Sequence, residues 1–153
     1  MLSQLIITTL FRGIPEAFIH IFGIYAFAGK RIDKNKYLLS SLIVAVSMVL
    51  VSILPISNGI HTILILMIIS AVATFINGFG SVYCVSVAII NIIIQFIAEG
   101  LNILLIELVF KKDIQEAIAT PLSKAVYGIP SLIIFFGVIV IITSMIKKRR
   151  LNE

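Results

Sequence analysis

The chain carries very little charge for its length. Only 12% of its 153 residues are charged, 60% are hydrophobic, and the mean hydropathy is +1.18. Soluble domains carry roughly 25% charged residues and about 45–50% apolar ones, so a globular fold of this chain could not solvate its surface. No Asp, Glu, Lys or Arg occurs from Tyr37 to Ala98. This scarcity argues against a soluble enzyme and predicts that lipid surrounds most of the chain.

The sequence also has few of the residues from which metal and catalytic sites are built. Cys84 is the single cysteine, so it predicts neither an internal disulfide nor a metal motif, and the sequence does not specify its role. Neither His20 nor His61 belongs to a His-Glu-x-x-His motif, and the glycines at 78 and 80 lack the Lys-Ser/Thr of a phosphate loop. We therefore predict a protein that is not an enzyme and that holds no cofactor or metal.

Long apolar segments fill most of the chain. A helix needs about 20 apolar residues to cross a hydrocarbon core roughly 30 Å thick, and these segments lack the alternation of barrel strands. The sequence predicts an all-α membrane protein, one domain formed by a bundle of five transmembrane helices. The alternative is four spans plus a re-entrant or interfacial first helix. The predicted spans are 3–28, 37–54, 62–79, 82–109 and 125–146.

Two clusters of basic residues directly follow apolar segments and predict the orientation. Cytoplasmic flanks are enriched in Lys and Arg, which meet anionic headgroups there, so we expect both clusters in the cytoplasm of a multi-pass plasma-membrane protein. The segment 147–153 is then a short basic cytoplasmic tail, and the link 111–124 lies outside with a short amphipathic turn at 113–119. The placement of the charges argues against nucleic acid as a partner. The clusters are Lys30, Arg31, Lys34 and Lys36, and Lys147, Lys148, Arg149 and Arg150.

Ionisable and amide side chains recur at helical spacing within two of the spans. Each ionised group costs about 2.5–3.5 kcal/mol at the centre of a membrane helix, so each needs a partner or a function. On the first span the polar residues share one face, and on the fourth they fall within a narrow sector. We expect the two stripes to face each other or a shared cavity. The stripes are Arg12, Glu16 and His20, and Asn91, Gln95, Glu99 and Asn102.

Three interpretations of these stripes remain open. They can hold helices together by hydrogen bonds, which average about 0.6 kcal/mol each in membranes. They can form a ligand, proton or switch site. Glu16 and Glu99 can also act as a pair of catalytic carboxylates, although nothing in the sequence specifies a substrate between them.

His61 is a second candidate, at the outer membrane surface in the predicted link 55–61. A ligand or a change of pH could reach an imidazole there. The simpler interpretation is that His61 caps the third helix or anchors it among the headgroups.

Several short segments resemble a known group of membrane proteins. These are Phe11–Phe18, Leu54-Pro55, Gly59–Thr62 and Tyr127–Ser131. In these segments the chain resembles small membrane proteins of clostridia and related Firmicutes. Those proteins are similar to the membrane-embedded sensor regions of GHKL-type histidine kinases of the accessory-gene-regulator kind. The resemblance implies that the spans receive a signal, often a peptide, and pass it to a cytoplasmic kinase. No kinase part occurs in these 153 residues, so either a separate kinase-like protein is the partner or the chain has another function. The resemblance implies no catalytic residue.

The sequence therefore predicts a non-catalytic membrane sensor or signalling subunit that binds a ligand or partner among its helices. A small transporter or substrate-binding subunit that works with a separate energising subunit is the alternative, with discontinuous helices at Gly13-Pro15 and Gly128-Pro130 in its favour. A membrane scaffold is a further alternative. The sequence specifies neither the ligand nor the oligomeric state.

Overall fold

The residues that the computed structural model describes form five helices. It describes the backbone of residues 2–109 and 120–152, and the side chains within them except those of residues 2–9, 58, 121, 122, 124 and 152. All the regular elements of these residues are α-helices, which confirms the predicted fold class. The helices are α1 (Leu2–Ala28), α2 (Lys34–Ile53), α3 (Asn58–Phe75), α4 (Ser81–Val109) and α5 (Pro121–Asn152).

Four of the helices are long and apolar enough to cross a membrane, and α3 is the shorter one. Its 18 residues extend for about 27 Å at a rise of 1.5 Å per residue, slightly less than the hydrocarbon core. In the sequence analysis it was the first helix, not the third, for which a full crossing of the membrane was left open. In the structure α1 is one continuous helix of 27 residues that contacts each of the other four described helices, and its part from Leu10 to Ala28 is long and apolar enough to cross a membrane.

The helix bounds differ from the predicted spans mainly in α3 and α5. The third helix begins and ends four residues earlier than the predicted 62–79, because Asn58 and Gly59 join its first turn and the left-handed Gly78 follows its end. The segment 147–152 was predicted as a tail but continues α5 as helix. Pro15 and Pro130 lie inside continuous helices, so the predicted discontinuities of α1 and α5 are wrong. The predicted turn at 113–119 lies outside the described residues.

The ends of the helices have clear chemical causes. Gly29, with φ of 65°, ends α1, and its N–H donates to the carbonyl of Ala26 at 3.1 Å. Asp33 caps α2, because its carboxylate accepts from the N–H groups of Asn35 and Lys36. Gly78, with φ of 72°, ends α3. Glycine suits these positions because it adopts positive φ without a steric penalty.

The helices form a ring in chain order, with α1 also contacting α3 and α4 across it. One apolar core lies between α1, α2, α3 and α4, and includes Ile21, Val44 and Ile69. A smaller core packs Phe135 and Ile139 of α5 against Ile94 and Ala98 of α4. Many large apolar side chains point away from both cores, among them Phe75 at 87% exposure and Val82 at 80%. An apolar outer surface of this kind matches lipid as the surrounding medium.

Candidate ligand or switch site

The polar stripes of α1 and α4 face each other, as the sequence predicted. The two helices run antiparallel, and Arg12 lies opposite Glu99, Glu16 opposite Gln95, and His20 opposite Asn91. Because both stripes repeat every four residues, each turn of one helix meets a polar partner on the other. We call the six side chains the polar network.

Arg12 bridges the two carboxylates of the network. Its Nη2 donates to Oε1 of Glu99 in a direct ion pair, and its Nε lies 3.6 Å from Oε2 of Glu16. The side chains of Arg12, Glu16 and Glu99 are 24%, 15% and 34% exposed, so this end of the network is accessible from outside the bundle. With both carboxylates ionised, the three groups carry a net charge of −1.

Gln95 connects the ion pairs to His20. Its Nε2 donates to Oε1 of Glu16 at 2.7 Å and to Oε1 of Glu99 at 3.4 Å. Its Oε1 lies 2.9 Å from Nε2 of His20. Because an amide oxygen only accepts, this contact assigns the proton of a neutral His20 to Nε2 and leaves Nδ1 as an acceptor. One amide therefore fixes the tautomer of the histidine and the position of both carboxylates.

The other end of the network is closed. His20 and Asn91 are fully buried, and Nδ2 of Asn91 donates to the backbone carbonyl of His20 at 3.0 Å. The His20 ring packs against Phe135 of α5, with ring centroids 5.1 Å apart. Nδ1 of His20 and Oδ1 of Asn91 accept no hydrogen bond from any described residue. Buried acceptors without a donor are costly, by roughly 1–3 kcal/mol each.

The network also touches α5. Asn102, the last residue of the α4 stripe, donates from Nδ2 to the carbonyl of Tyr127 at 2.7 Å. Nη1 of Arg12 lies so close to Gly128 that a Cβ added there would be 3.3 Å from it. Oγ of Ser131 donates to the carbonyl of Gly128 at 2.6 Å, which keeps this hydroxyl within α5. α5 therefore contacts both the guanidinium and the end of the polar stripe.

His61 lies near the network but is not hydrogen-bonded to it. It is close enough to Glu16 for the two side chains to interact electrostatically. Its Nε2 lies 3.3 Å from Oγ of Ser52 on α2, and its backbone N–H donates to the carbonyl of Ser57 at 3.0 Å. The imidazole thus joins the first turn of α3 to the last turn of α2.

The two basic clusters lie at one end of the bundle, where α1 ends, α2 begins and α5 ends. We call this the basic end. Four of the eight side chains line a common cleft between α1 and α5. Those four are Lys30, Arg31, Lys147 and Arg150, whereas Lys34, Lys36, Lys148 and Arg149 lie outside the cleft.

Sequence reasoning missed the residues that bring the helices close together. Gly23 lies one turn beyond His20, and a Cβ there would fall 2.5 Å from Nδ2 of Asn91. Its place on the polar face of α1 was the available signal. Three tyrosines support the other half of α1: Tyr37 and Tyr83 donate to the carbonyls of Phe18 and Ile24, and Tyr25 donates to Oδ1 of Asn77. Nothing in the sequence spacing indicates these partners.

Comparison with known proteins adds no assignment. No family model matches this chain, and no curated protein or solved structure shows a significant match to it. The resemblance to sensor regions of GHKL-type kinases therefore stays a prediction. Within the described residues no group of three or more His, Cys, Asp or Glu side chains could hold a metal ion. Cys84 is a buried thiol of the larger core.

Proposed function

We propose that the protein is a non-catalytic membrane signalling subunit whose polar network is its ligand or switch site. The observation that carries this proposal is the connection through Gln95. A single side chain contacts two carboxylates and a buried histidine on two helices. The guanidinium that pairs with both carboxylates also lies against α5. A change at any of these groups alters the hydrogen bonding of the others.

The chemistry of the network favours a ligand that carries a positive charge or hydrogen-bond donors. Arg12 offsets only one of the two carboxylates, and Glu99 is the more exposed of them. Nδ1 of His20 and Oδ1 of Asn91 also lack donors. An ammonium group, a peptide N–H or a proton would supply what the exposed Glu99 lacks. His20 and Asn91 are fully buried, so a ligand would reach them only after a change in helix packing.

The proposed output is a change in the packing of α5. This helix contacts the network through Tyr127 and Gly128 near its beginning, and it continues to the basic end as one helix. A shift at the network would therefore be carried along a rigid element to Lys147–Arg150. A ligand can drive such a shift only as far as it binds the two arrangements with different affinity.

We further propose that the basic end faces the cytoplasm, where lysine and arginine are enriched next to membrane spans. A separate kinase-like protein would then be the partner that reads the position of α5. The surface it would contact carries Lys148 and Arg149, which are exposed and lie outside the cleft.

A distance measurement across the basic end tests the switch. Spin labels are placed at Ile32→Cys and Leu151→Cys, both at exposed positions, in a Cys84→Ser background in proteoliposomes. We expect Glu99→Gln to redistribute the distances, because it weakens the ion pair with Arg12. A bias of about 1.4 kcal/mol changes the ratio of two states tenfold.

Glu107→Gln is the matched control. It removes the same charge from α4 at an exposed position outside the network, so it should leave the distances unchanged. If Glu99→Gln gives the same distribution as the parent, the polar network serves packing and the proposed switch is wrong.

Transport is the second candidate, favoured by an Arg–Glu ion pair that is partly exposed inside a membrane bundle. Ionisable pairs of this kind occur on ion and proton pathways. Proteoliposomes loaded with a pH-sensitive dye separate the two functions. A transport protein should show flux that Glu99→Gln abolishes, whereas a signalling subunit should show none above that of protein-free liposomes.

A further inference from the structure

The basic end contains a cleft of about 480 Å³ between the end of α1 and the end of α5. Its volume falls within the range of about 300–1,000 Å³ typical of sites for small molecules. Lys30, Arg31, Lys147 and Arg150 line it. None of the four forms an ion pair with an acidic residue among the described residues.

The wall of the cleft has a cationic part and an apolar part, which match the anionic headgroup and the apolar chains of a phospholipid. Its wall also includes Tyr25, Ala26, Phe27 and Ile146, which precede the cations along α1 and α5 and therefore lie deeper in the bundle. Thr143 and Ser144 line the same depth on α5, and Oγ1 of Thr143 donates to the carbonyl of Ile139 within the helix. The apolar part of the wall thus continues toward the hydrocarbon, and the cations lie at the level of the headgroups. A soluble anion would use only the cationic part of such a wall.

The helix ends next to the cleft carry partial negative charge, which stabilises the cations but is too small to neutralise them. The carbonyl ends of α1 and α5 both lie here, and each contributes a partial charge of about −0.5, against four full positive charges. Arg150 is held against the chain at Gly29, where an added Cβ would be 3.6 Å from its Nη1. Nζ of Lys30 lies 5.0 Å from the centre of the Phe79 ring, a cation–π contact that orients it. Asp33, the acidic residue nearest in sequence to Lys30 and Arg31, accepts from the N–H groups of α2 instead.

We propose that this cleft is a specific binding site for the phosphate of an anionic phospholipid, with the lipid bridging α1 and α5. The cations bind the phosphate oxygens, and the lipid chains extend along Phe27 and Ile146. The inference is independent of the proposed signalling role and of which side of the membrane the basic end faces.

The chain supplies a matched pair of variants to test the site. Lys147→Gln/Arg150→Gln removes two charges that line the cleft, and Lys148→Gln/Arg149→Gln removes two charges of the same kinds from the same turns of α5 but outside the cleft. Phosphatidylglycerol and phosphatidylcholine are titrated into the purified full chain in a neutral detergent. Native mass spectrometry then measures how much of each lipid the protein retains. Because no bilayer is present, an extended anionic surface does not contribute to the binding.

We expect one phosphatidylglycerol to bind in preference to phosphatidylcholine. Each cation near a headgroup contributes about 1 kcal/mol, so Lys147→Gln/Arg150→Gln should weaken binding roughly thirtyfold, and Lys148→Gln/Arg149→Gln should weaken it less than threefold. The exchange Lys147→Arg/Arg150→Lys, which keeps both charges, should retain binding and thereby exclude misfolding as the cause of the loss.

Equal losses in the two neutralised pairs, or no loss in either, would overturn the proposal, since attraction would then be unspecific. Glycerol phosphate provides the last arm. If it displaces phosphatidylglycerol at millimolar concentration, the site binds soluble phosphate esters and the lipid assignment is wrong; if it does not, the lipid chains are part of what is recognised.

Discussion

Substitution of Gly23 by alanine tests the closest approach between α1 and α4. A Cβ at this position would lie 2.5 Å from Nδ2 and 2.6 Å from Oδ1 of Asn91. Asn91 has little room to move, because it is fully buried and its Nδ2 donates to the carbonyl of His20. We therefore expect Gly23→Ala to displace the amide and to separate the two helices locally.

The expected magnitude combines opposing effects. Alanine is about 1 kcal/mol more favourable than glycine inside a helix. Overpacking costs typically 1–3 kcal/mol, and the lost hydrogen bond of Asn91 costs about 1 kcal/mol more. The free energy of unfolding should fall by about 1–3 kcal/mol. Gly100→Ala is the matched control, because a Cβ at Gly100 of α4 meets nothing within 4 Å and only the gain in helix propensity remains.

The assay is reversible unfolding in mixed micelles of dodecyl sulfate and dodecyl maltoside, followed by circular dichroism. The double variant Gly23→Ala/Asn91→Ala removes the clash, so the two substitutions should cost less together than their sum, by 1 kcal/mol or more. The reasoning is refuted if Gly23→Ala is as stable as Gly100→Ala, since the helices would then be further apart than the structure places them.

Two other substitutions give expected outcomes in the same assay. Gln95→Leu deprives Nε2 of His20 and Oε1 of Glu16 of their partner and should lower the free energy of unfolding by about 1–3 kcal/mol. The control is the exposed Ser86→Ala, for which we expect almost no change. An equally small change for Gln95→Leu would contradict the network. Asp33→Ala removes the cap of α2 and should cost about 1 kcal/mol, whereas Asp33→Asn should retain most of the stability. Equal losses in the two Asp33 variants would mean that its charge rather than its hydrogen bonds matters.

The sequence predicted the helices and the facing stripes because the first follow from lipid as the surrounding solvent and the second from the spacing of the polar residues. An apolar segment of about 20 residues has few alternatives in lipid, and a four-residue repeat of polar groups specifies which face of the helix needs a partner. The predicted bounds failed where polar residues continue a helix. Asn58 and Gly59 begin α3 and Lys147–Arg150 extend α5, because a helix that emerges from the hydrocarbon does not require apolar side chains.

The cleft at the basic end could not be predicted, because it depends on how two ends distant in sequence are brought together. Lys30 and Arg31 were identified as one cluster and Lys147 and Arg150 as part of another. Their separation in space is set by the packing of α1 against α5, to which Phe22 and Phe136 contribute with ring centroids 5.2 Å apart. Spacing along one helix contains no information about such a contact.

The ion pair of Arg12 with Glu99 determines which register of α1 and α4 is stable. Because the six residues of the polar network repeat every four residues on each helix, a slide by four residues, about 6 Å, still brings polar groups together. In one direction Glu16 would lie opposite Glu99, and two carboxylates would repel. In the other direction Arg12 would lie opposite Gln95, and Glu99 would lose its partner at a cost of about 2.5–3.5 kcal/mol. Neutralising Glu99 by a proton or a cationic ligand removes most of either penalty, which makes this carboxylate the point at which the proposed switch is most easily controlled.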